Sequence, residues 1–540
     1  MIEEVFENLV EQFSDPFTFY RELIQNAMDA GSNQVDVTIE YQSDREMVAI
    51  VVKDSGEGMN EAIISDQLTR FFSSTKEQDL TKIGKFGIGF ASIFAIRPEL
   101  VVIDTGRDGE FWRVAFDGTT AFKMLRLTEP VEGTTIKLFK PLAALELDHF
   151  IERSRETIAF WCRYSDTEVN FNGEAINLPL DVDSVCQAHH EQPGTTVVVG
   201  FTSESPAAFG MYNRGLTLKE GFQDNFPGIT FRIKSHYLEH TLTRDNVLMD
   251  ENYRKAMQIV ERVIAENLME QLFLRVEELL RDYPVRQLEF EELFEAAARV
   301  LSDWRKAFPK KFWNRPLFPQ HVGPPLSIQE VRDKAFWEGA VYLDLQVTRV
   351  SHELHKLNVP VIWADPDGAV GRLVGAVTQK HPRSASKSVA APVVSVNAWE
   401  AFRGSSEDEP DSLHNVTLDA WLTLCHHINE LIRLGTNTIG AIALADFDYP
   451  GSAVAHLPCL AQPRRDEPIR LFGRGFWRSF QLARGTLLLN QRHPLIRKAL
   501  RLAATQPALS AFVVTKAVLL NDGLPQDLEA KIVNRCWSLQ

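Results

Sequence analysis

Three polar residues, Glu22, Asn26 and Asp29, stand at i, i+4 and i+7 within the stretch Phe19-Tyr-Arg-Glu-Leu-Ile-Gln-Asn-Ala-Met-Asp-Ala30. On a helix, which turns by about 100° per residue, that spacing stacks them on one narrow face. Leu23, Ile24, Ala27 and Met28 take up much of the remaining circumference. A mostly apolar helix with one thin polar stripe is expected to be buried, and buried carboxylates and amides need partners. A bound ion or ligand would supply them. Taken alone, the stripe fits the solvated edge of an ordinary amphipathic helix equally well.

Three further blocks have residue types that could do chemistry. In Lys53-Asp-Ser-Gly-Glu-Gly-Met59, Asp54 stands where an apolar strand ends. A carboxylate there could accept a hydrogen bond from an exocyclic amine, and Gly56 and Gly58 would let the backbone turn sharply and leave room for a flat ligand. A plain Asp-Ser-Gly turn explains the same residues. In Ile83-Gly-Lys-Phe-Gly-Ile-Gly-Phe-Ala-Ser-Ile-Phe-Ala95, Gly84, Gly87 and Gly89 precede an apolar helical run. Backbone N–H groups at such a helix start can cradle phosphates. The block matches neither the Walker A pattern nor a dinucleotide fingerprint after a strand. Glu132-Gly-Thr-Thr-Ile-Lys-Leu138 begins a strand with hydroxyls that could close a base pocket.

The elements that must hold these residues are readable from periodicity. Gln34–Tyr41 alternates apolar and polar residues, as a half-buried strand does. Met47–Val52 is a near-continuous apolar run, and further strand signals lie near Leu100–Asp104 and Thr134–Phe139. The first 140 or so residues therefore predict a mixed sheet with helices on one face. Beyond them come a helix around Asp148–Tyr164, strands at Thr195–Phe201 and Thr230–Ile233, and a long helical stretch from Asn252 to Asp282. After about residue 285 a helical region, a proline-rich connector (Phe318–Pro325) and mixed segments follow, with polar loops at His381–Ser388 and Gly404–Asp411 and no internal repeat. The expected domains are 1–143, 144–284 and 285–540, all of α/β or mixed α/β class.

Composition sets outer bounds. A chain of 540 residues exceeds one typical core, so roughly three to four domains are expected. The 44% hydrophobic and 24% charged content is that of a globular protein. No apolar run reaches the roughly 18 residues of a membrane span, and the acidic start Met1-Ile-Glu-Glu lacks the basic opening of a secretory signal. A soluble, cytoplasmic protein is expected. Five scattered cysteines form no CxxC pair, so they read as ordinary thiols. A net charge of −16 weighs against a large nucleic-acid footprint without excluding a local one.

Taken together and in order, the four blocks resemble the GHKL (Bergerat-fold) ATPases, and among them the Hsp90 group. The carriers are the helix Arg-Glu-Leu-Ile-Gln-Asn-Ala-Met-Asp-Ala, the loop Asp-Ser-Gly-Glu-Gly-Met, the segment Gly-Lys-Phe-Gly-Ile-Gly-Phe-Ala-Ser and Gly133-Thr134. The resemblance implies an N-terminal Bergerat-type α/β sandwich that binds ATP and Mg²⁺. Glu22 would be the general base for the attacking water and Asn26 the Mg²⁺ ligand. Asp54 would read the adenine amine, with Gly58, Met59 and Thr134 shaping the pocket, Thr135 an adjacent candidate, and Asp29 supporting it. Gly84, Gly87, Ile88, Gly89 and Phe90 would form the lid hinge and phosphate-binding segment. More weakly, Met211–Leu218 and Leu242-Thr-Arg-Asp-Asn-Val247 are similar to Hsp90 middle-domain segments, which gives Arg244 the place of the arginine that reaches the γ-phosphate. That implies protein clients and a homodimer.

The pattern departs from the family in several places. The span between Met59 and Gly84 is shorter than a typical Hsp90 lid, no charged linker follows the first domain, and Ser73–Lys76 matches only loosely, leaving a phosphate role for Lys76 in doubt. The C-terminal half shows no match to the Hsp90 dimerisation domain. The alternative reading is a GHKL ATPase acting on nucleic acid, which the acidic balance disfavours. A histidine kinase would place its ATP domain after a phosphoacceptor helix. Ser351-His-Glu-Leu-His355 has its histidines at i and i+3, not the His-Glu-x-x-His spacing of zinc proteases, and reads as a solvated helix face. Asp446 and Asp448 read as a loop that could hold a divalent ion. Arg474, Arg478, Arg484, Arg492 and Arg497 make the C-terminal region locally basic, with Trp477, Phe480 and Leu487–Leu489 pointing to core packing.

Overall fold

The computed structural model describes residues 15–68, 89–117, 122–241, 246–302, 309–391, 395–405, 412–435, 439–462, 469–470, 485–520 and 526–539. It divides into two compact units, Met1–Gln271 and Leu272–Gln540. Among the described residues no helix is long and apolar enough to cross a membrane.

The first unit opens on helix α1 (Phe19–Asp29), which buries Phe19, Tyr20, Leu23, Ile24, Ala27 and Met28. These are the apolar positions left once the polar stripe is removed, so the side of the helix that packs is set by its periodicity. α1 lies against strands β1 (Gln34–Gln42), β2 (Met47–Asp54), β3 (Leu100–Arg107), β4 (Glu110–Phe116), β5 (Phe122–Arg126) and β6 (Thr134–Pro141). Two more strands, β7 (Glu168–Phe171) and β8 (Glu174–Ala175), follow helix α2 (Leu147–Cys162) and complete an eight-stranded sheet in the order β5-β4-β3-β6-β2-β1-β7-β8. All its pairings are antiparallel except β1 with β7. The mixed sheet expected from the sequence is thus present, and it runs past residue 143. α2 shares the core of α1: Phe150, Ile158 and Cys162 join Phe19, Ile24, Val37, Ile50 and Leu138, and the Tyr20 hydroxyl donates to Ser154 Oγ at 3.0 Å.

A second sheet in the same unit comprises β9 (Gln187–Gln192), β10 (Thr195–Phe201), β11 (Ala207–Asn213), β12 (Leu216–Gln223) and β13 (Ile229–Ser235), in the order β12-β11-β13-β10-β9. Met211–Leu218 is its β11–β12 hairpin, turning at Arg214 (φ 48°) and Gly215 (φ 87°). Two positive φ values suit the tight turn that matches strand twist. Helix α3 (Glu251–Val263), capped by Asp250, packs on this sheet. The long helix expected to Asp282 continues through a wider turn at Ile264–Leu268 into Met269–Arg281.

In the second unit a three-stranded parallel sheet (Val361–Trp363, Tyr342–Asp344, Arg383–Ser384) and a four-stranded mixed sheet centred on Ile439–Ala445 and Gly485–Asn490 are surrounded by helices. The helical region expected after residue 285 is Gln287–Ser302. Ser351–His355 lies on the helix Arg349–Lys356, where His352 and His355 are exposed while Val350, Ser351 and Leu354 are buried. Asp446 and Asp448 both pair with Arg492, at 2.7 and 3.3 Å. Arg474, Arg478, Arg484, Trp477 and Phe480 lie outside the described residues. All five cysteines are free thiols, and burial pushes Cys162, Cys425 and Cys459 up to about 12, far from reactive thiolates.

Candidate functional site

The site is assembled where the loop after β2 meets the end of α1. Asp54 is the last residue of β2, and its Oδ1 accepts the Gly56 N–H at 2.8 Å. The Glu57 N–H donates to Ala30 O at 2.9 Å, and the Ser55 N–H donates to Ser32 Oγ at 3.0 Å, so the loop is fastened to the residues just past the helix. The first two sequence blocks are therefore one structural unit, with Asp54 beside the C-terminal end of the stripe-bearing helix.

The fourth block joins them through sheet register. Asp54 stands opposite Thr134 on β6, and Thr134 stands opposite Thr105 on β3. The Thr105 and Thr134 hydroxyls are 3.0 Å apart, and Thr105 Oγ1 accepts the Met59 N–H at 2.9 Å. Thr105 was not expected from the sequence. Its isolated hydroxyl in an apolar strand acquires meaning only from the register opposite Thr134, which is a long-range property.

The glycines permit close backbone packing. Gly58 has φ +66°, and a Cβ there would lie 2.2 Å from Gly106 O. A Cβ on Gly56 would meet Ala30 Cβ at 2.9 Å, and one on Gly133 would meet Asp54 O at 2.1 Å. Backbone already fills the space, so these glycines are required for close approach of loop, helix end and strands.

The polar stripe is graded along α1. Glu22 is 7% exposed, Asn26 is half-buried, and Asp29 is exposed. A carboxylate so nearly buried is costly without a polar counterpart. Asp29 faces Arg214 of the β11–β12 hairpin, Oδ1 to Nη1 at 3.5 Å, and this pairing explains its exposed position at the helix end. Asp54 is half-buried; burial raises its carboxyl above the usual carboxylate value, and the Gly56 and Thr134 N–H groups partly oppose that.

Of the third block, Gly89 and Phe90 are described. The Phe90 ring is buried in the core, 5.8 Å from Phe116 and 6.4 Å from Phe94, which leaves its backbone as the part that can face a ligand. Ser92 Oγ donates to Gly89 O at 2.6 Å, and the turn Ser92–Ile96 packs against α1. Gly84, Gly87, Ile88, Lys76 and Arg244 lie outside the described residues. Among the described residues, no three His, Cys, Asp or Glu side chains converge as a ready-made metal cage.

Residues 18–129 match the family described as histidine kinase-, DNA gyrase B-, and HSP90-like ATPase. Similar proteins include Chaperone protein HtpG of Helicobacter pylori strain J99, 28% identical over 200 residues, or 31% of this chain and 32% of the relative. HtpG of Nocardia farcinica is 30% identical over 175 residues, 27% of this chain and 26% of the relative. HtpG of Citrobacter koseri is 28% identical over 220 residues, 34% and 32% respectively. The chain spans about a third of the length of these curated relatives. The matched residues contain α1, the Asp54 loop and the strand carrying Thr105. This chain thus carries a GHKL (Bergerat-fold) ATPase domain of the Hsp90-like kind, an α/β sandwich, at its N-terminal end.

Proposed function

We propose that the protein binds and hydrolyses ATP with Mg²⁺, and that it is an Hsp90-like, nucleotide-driven conformational machine acting on protein clients. The observation that carries the reading is that the Asp54 loop is fastened to the end of α1 while Asp54 stands opposite Thr134 on β6. Asp54 offers an acceptor to an exocyclic amine, and the Thr134 and Thr105 hydroxyls offer orientable donors beside it. Glu22 and Asn26 present oxygen donors of the type that Mg²⁺ favours, and Mg²⁺ bound through substrate phosphates needs only one or two protein ligands. The residues present therefore fit the group.

Each side chain has a separate task. Asn26 holds the metal, which when bound neutralises charge on the phosphates. Glu22, one turn earlier and nearly buried, orients and deprotonates water; low exposure keeps competing solvent away from it. Asp54 fixes the base, with Gly58, Met59 and Thr134 shaping its surroundings, and Asp29 supports the pocket from its rim. Gly84, Gly87, Ile88, Gly89 and Phe90 bind phosphate through backbone N–H groups, and Arg244 stabilises charge on the transferred phosphoryl group. A homodimer, at least in the nucleotide-bound state, and a cytoplasmic location belong to the same reading.

The test is ATP turnover and nucleotide affinity of wild type, Glu22→Ala, Asp54→Asn and Arg244→Ala, each with and without an unfolded protein or DNA. Glu22→Ala and Arg244→Ala should bind ATP and hydrolyse it poorly, Asp54→Asn should not bind, and unfolded protein should alter turnover. Normal turnover by Glu22→Ala overturns the catalytic assignment. Stimulation by DNA alone overturns the choice of protein clients.

A further inference from the structure

We propose that Arg21 is a positioning residue: clamped between Trp161 and His240, it ties the register of the Glu22-bearing helix to the clasp formed by residues 240–241 and 246–247. The inference rests on the ATPase reading above and adds to it a mechanical link between the two layers of the first unit.

Arg21 directly precedes Glu22 on α1 and is 4% exposed. Its guanidinium carbon sits 4.3 Å from the centroid of the Trp161 ring on α2. Its Nη2 lies 2.6 Å from Nε2 and 2.8 Å from Nδ1 of His240, a residue 219 positions away in sequence. Arginine is always protonated and has no acceptor atom, so His240 must accept through an unprotonated ring nitrogen. The indole face supplies the second stabilising surface, by attraction of the cation to the ring face.

His240 is itself fixed to the second layer. It forms an antiparallel bridge with Val247. Next to it, the Thr241 N–H donates to Asn246 O at 2.9 Å, and the Asn246 side-chain oxygen accepts from Lys219 Nζ of β12 at 3.0 Å. Residues 240–241 and 246–247 thus make a clasp anchored on the second sheet. Arg21 is the side chain by which α1 grips that clasp.

A buried guanidinium is a poor choice if stability were its only purpose. Desolvating an ion costs several kcal/mol, and an apolar residue of similar volume often does as well or better. What a planar guanidinium adds is direction. Here the direction bears on the helix turn that contains Glu22, so loosening the grip should misplace the carboxylate. Misplacement of catalytic groups by about 1 Å lowers rates far more than it lowers binding.

The experiment uses the full chain and three variants: His240→Leu, which removes the acceptor; His240→Gln, which retains one; and Trp161→Leu, which removes the ring. Turnover, KM, affinity for a non-hydrolysable ATP analogue and hydrogen exchange of peptides covering residues 17–30 and 236–248 are measured. His240→Leu should lower kcat by about tenfold or more with KM and analogue affinity within about twofold. His240→Gln should recover most of that loss, and Trp161→Leu should fall between. Without any nucleotide, His240→Leu should raise exchange in both peptides together. Unchanged kcat in His240→Leu, or raised exchange confined to residues 236–248, overturns the link. A wild type that neither binds the analogue nor turns over ATP overturns the ATPase reading instead, and the exchange arm still decides whether the link exists.

Discussion

Asp54 is a side chain whose burial costs the ligand-free fold and that, in the proposed reading, serves nucleotide binding. Burial lifts its folded-state carboxyl above its ordinary value, so folding favours the protonated form. Its favourable contribution is complete below the ordinary carboxylate range and is lost as pH rises through the raised value. At neutral pH the ionised group is a cost. Asp54→Asn keeps an oxygen for the Gly56 N–H and removes the charge, so the ligand-free variant should be as stable as wild type or more so at neutral pH. That advantage should vanish in acid, and nucleotide binding should be lost; denaturant midpoints at two pH values and calorimetric titration check both. Glu22→Ala should act oppositely on function, binding nucleotide while turnover falls by about 10²–10⁴-fold, the usual contribution of a general base. Single-turnover assays at saturating ATP check it. At this scale the sequence marked Glu22, Asn26 and Asp54 as candidates by type and spacing, and the assays above test their roles. It was silent on Thr105, Trp161 and His240, because each acquires its role from a partner far away in the chain.

Among the elements, strands with strong apolar patterning were legible and weakly patterned ones were not. Gln34–Gln42 and Met47–Asp54 match their expected positions to within two residues or so. β9, Gln187-Ala-His-His-Glu-Gln192, is almost wholly polar and is a strand only because it pairs along the edge of β10. The loop glycines follow the same division: their presence was visible, their reason was not. Gly58→Ala combines a left-handed backbone, costing about 1–2 kcal/mol, with a Cβ 2.2 Å from Gly106 O. Gly31, at φ +76°, has nothing within 4 Å of its ideal Cβ, so Gly31→Ala bears the conformational cost alone. Gly58→Ala should therefore be clearly more destabilising than Gly31→Ala in urea unfolding, and it should also weaken nucleotide binding. In α1, Tyr20→Phe removes the hydroxyl bonded to Ser154. Ser154 keeps its bond to Phe150 O, so the loss should be about 1 kcal/mol, measured by thermal or denaturant unfolding.

For the molecule as a whole, the eight-stranded sheet that holds Asp54 and Thr134 extends past residue 143, through β7 and β8 to Ala175. Composition and motif content mark where the chemistry ends, but only strand pairing marks where the sheet ends, and that pairing is non-local. Residues 1–271, which form a compact unit with their own core, should fold alone and bind an ATP analogue with an affinity close to that of the full chain. Isothermal titration on the two proteins checks this, and loss of binding in the shorter one overturns it.

The parallel pairing of β1 with β7 has a consequence for synthesis. Gln34 stands opposite Glu168, so one side of β1 has no partner until more than a hundred further residues have left the ribosome. Pairings of such sequence separation form slowly, and an unpaired strand flank is a template for association with other chains. A nascent chain stopped near residue 143 would carry every nucleotide-pocket block of this domain and still present an open sheet edge. For this protein, carrying all four sequence blocks and having a chain that is safe to release are two separate moments in translation.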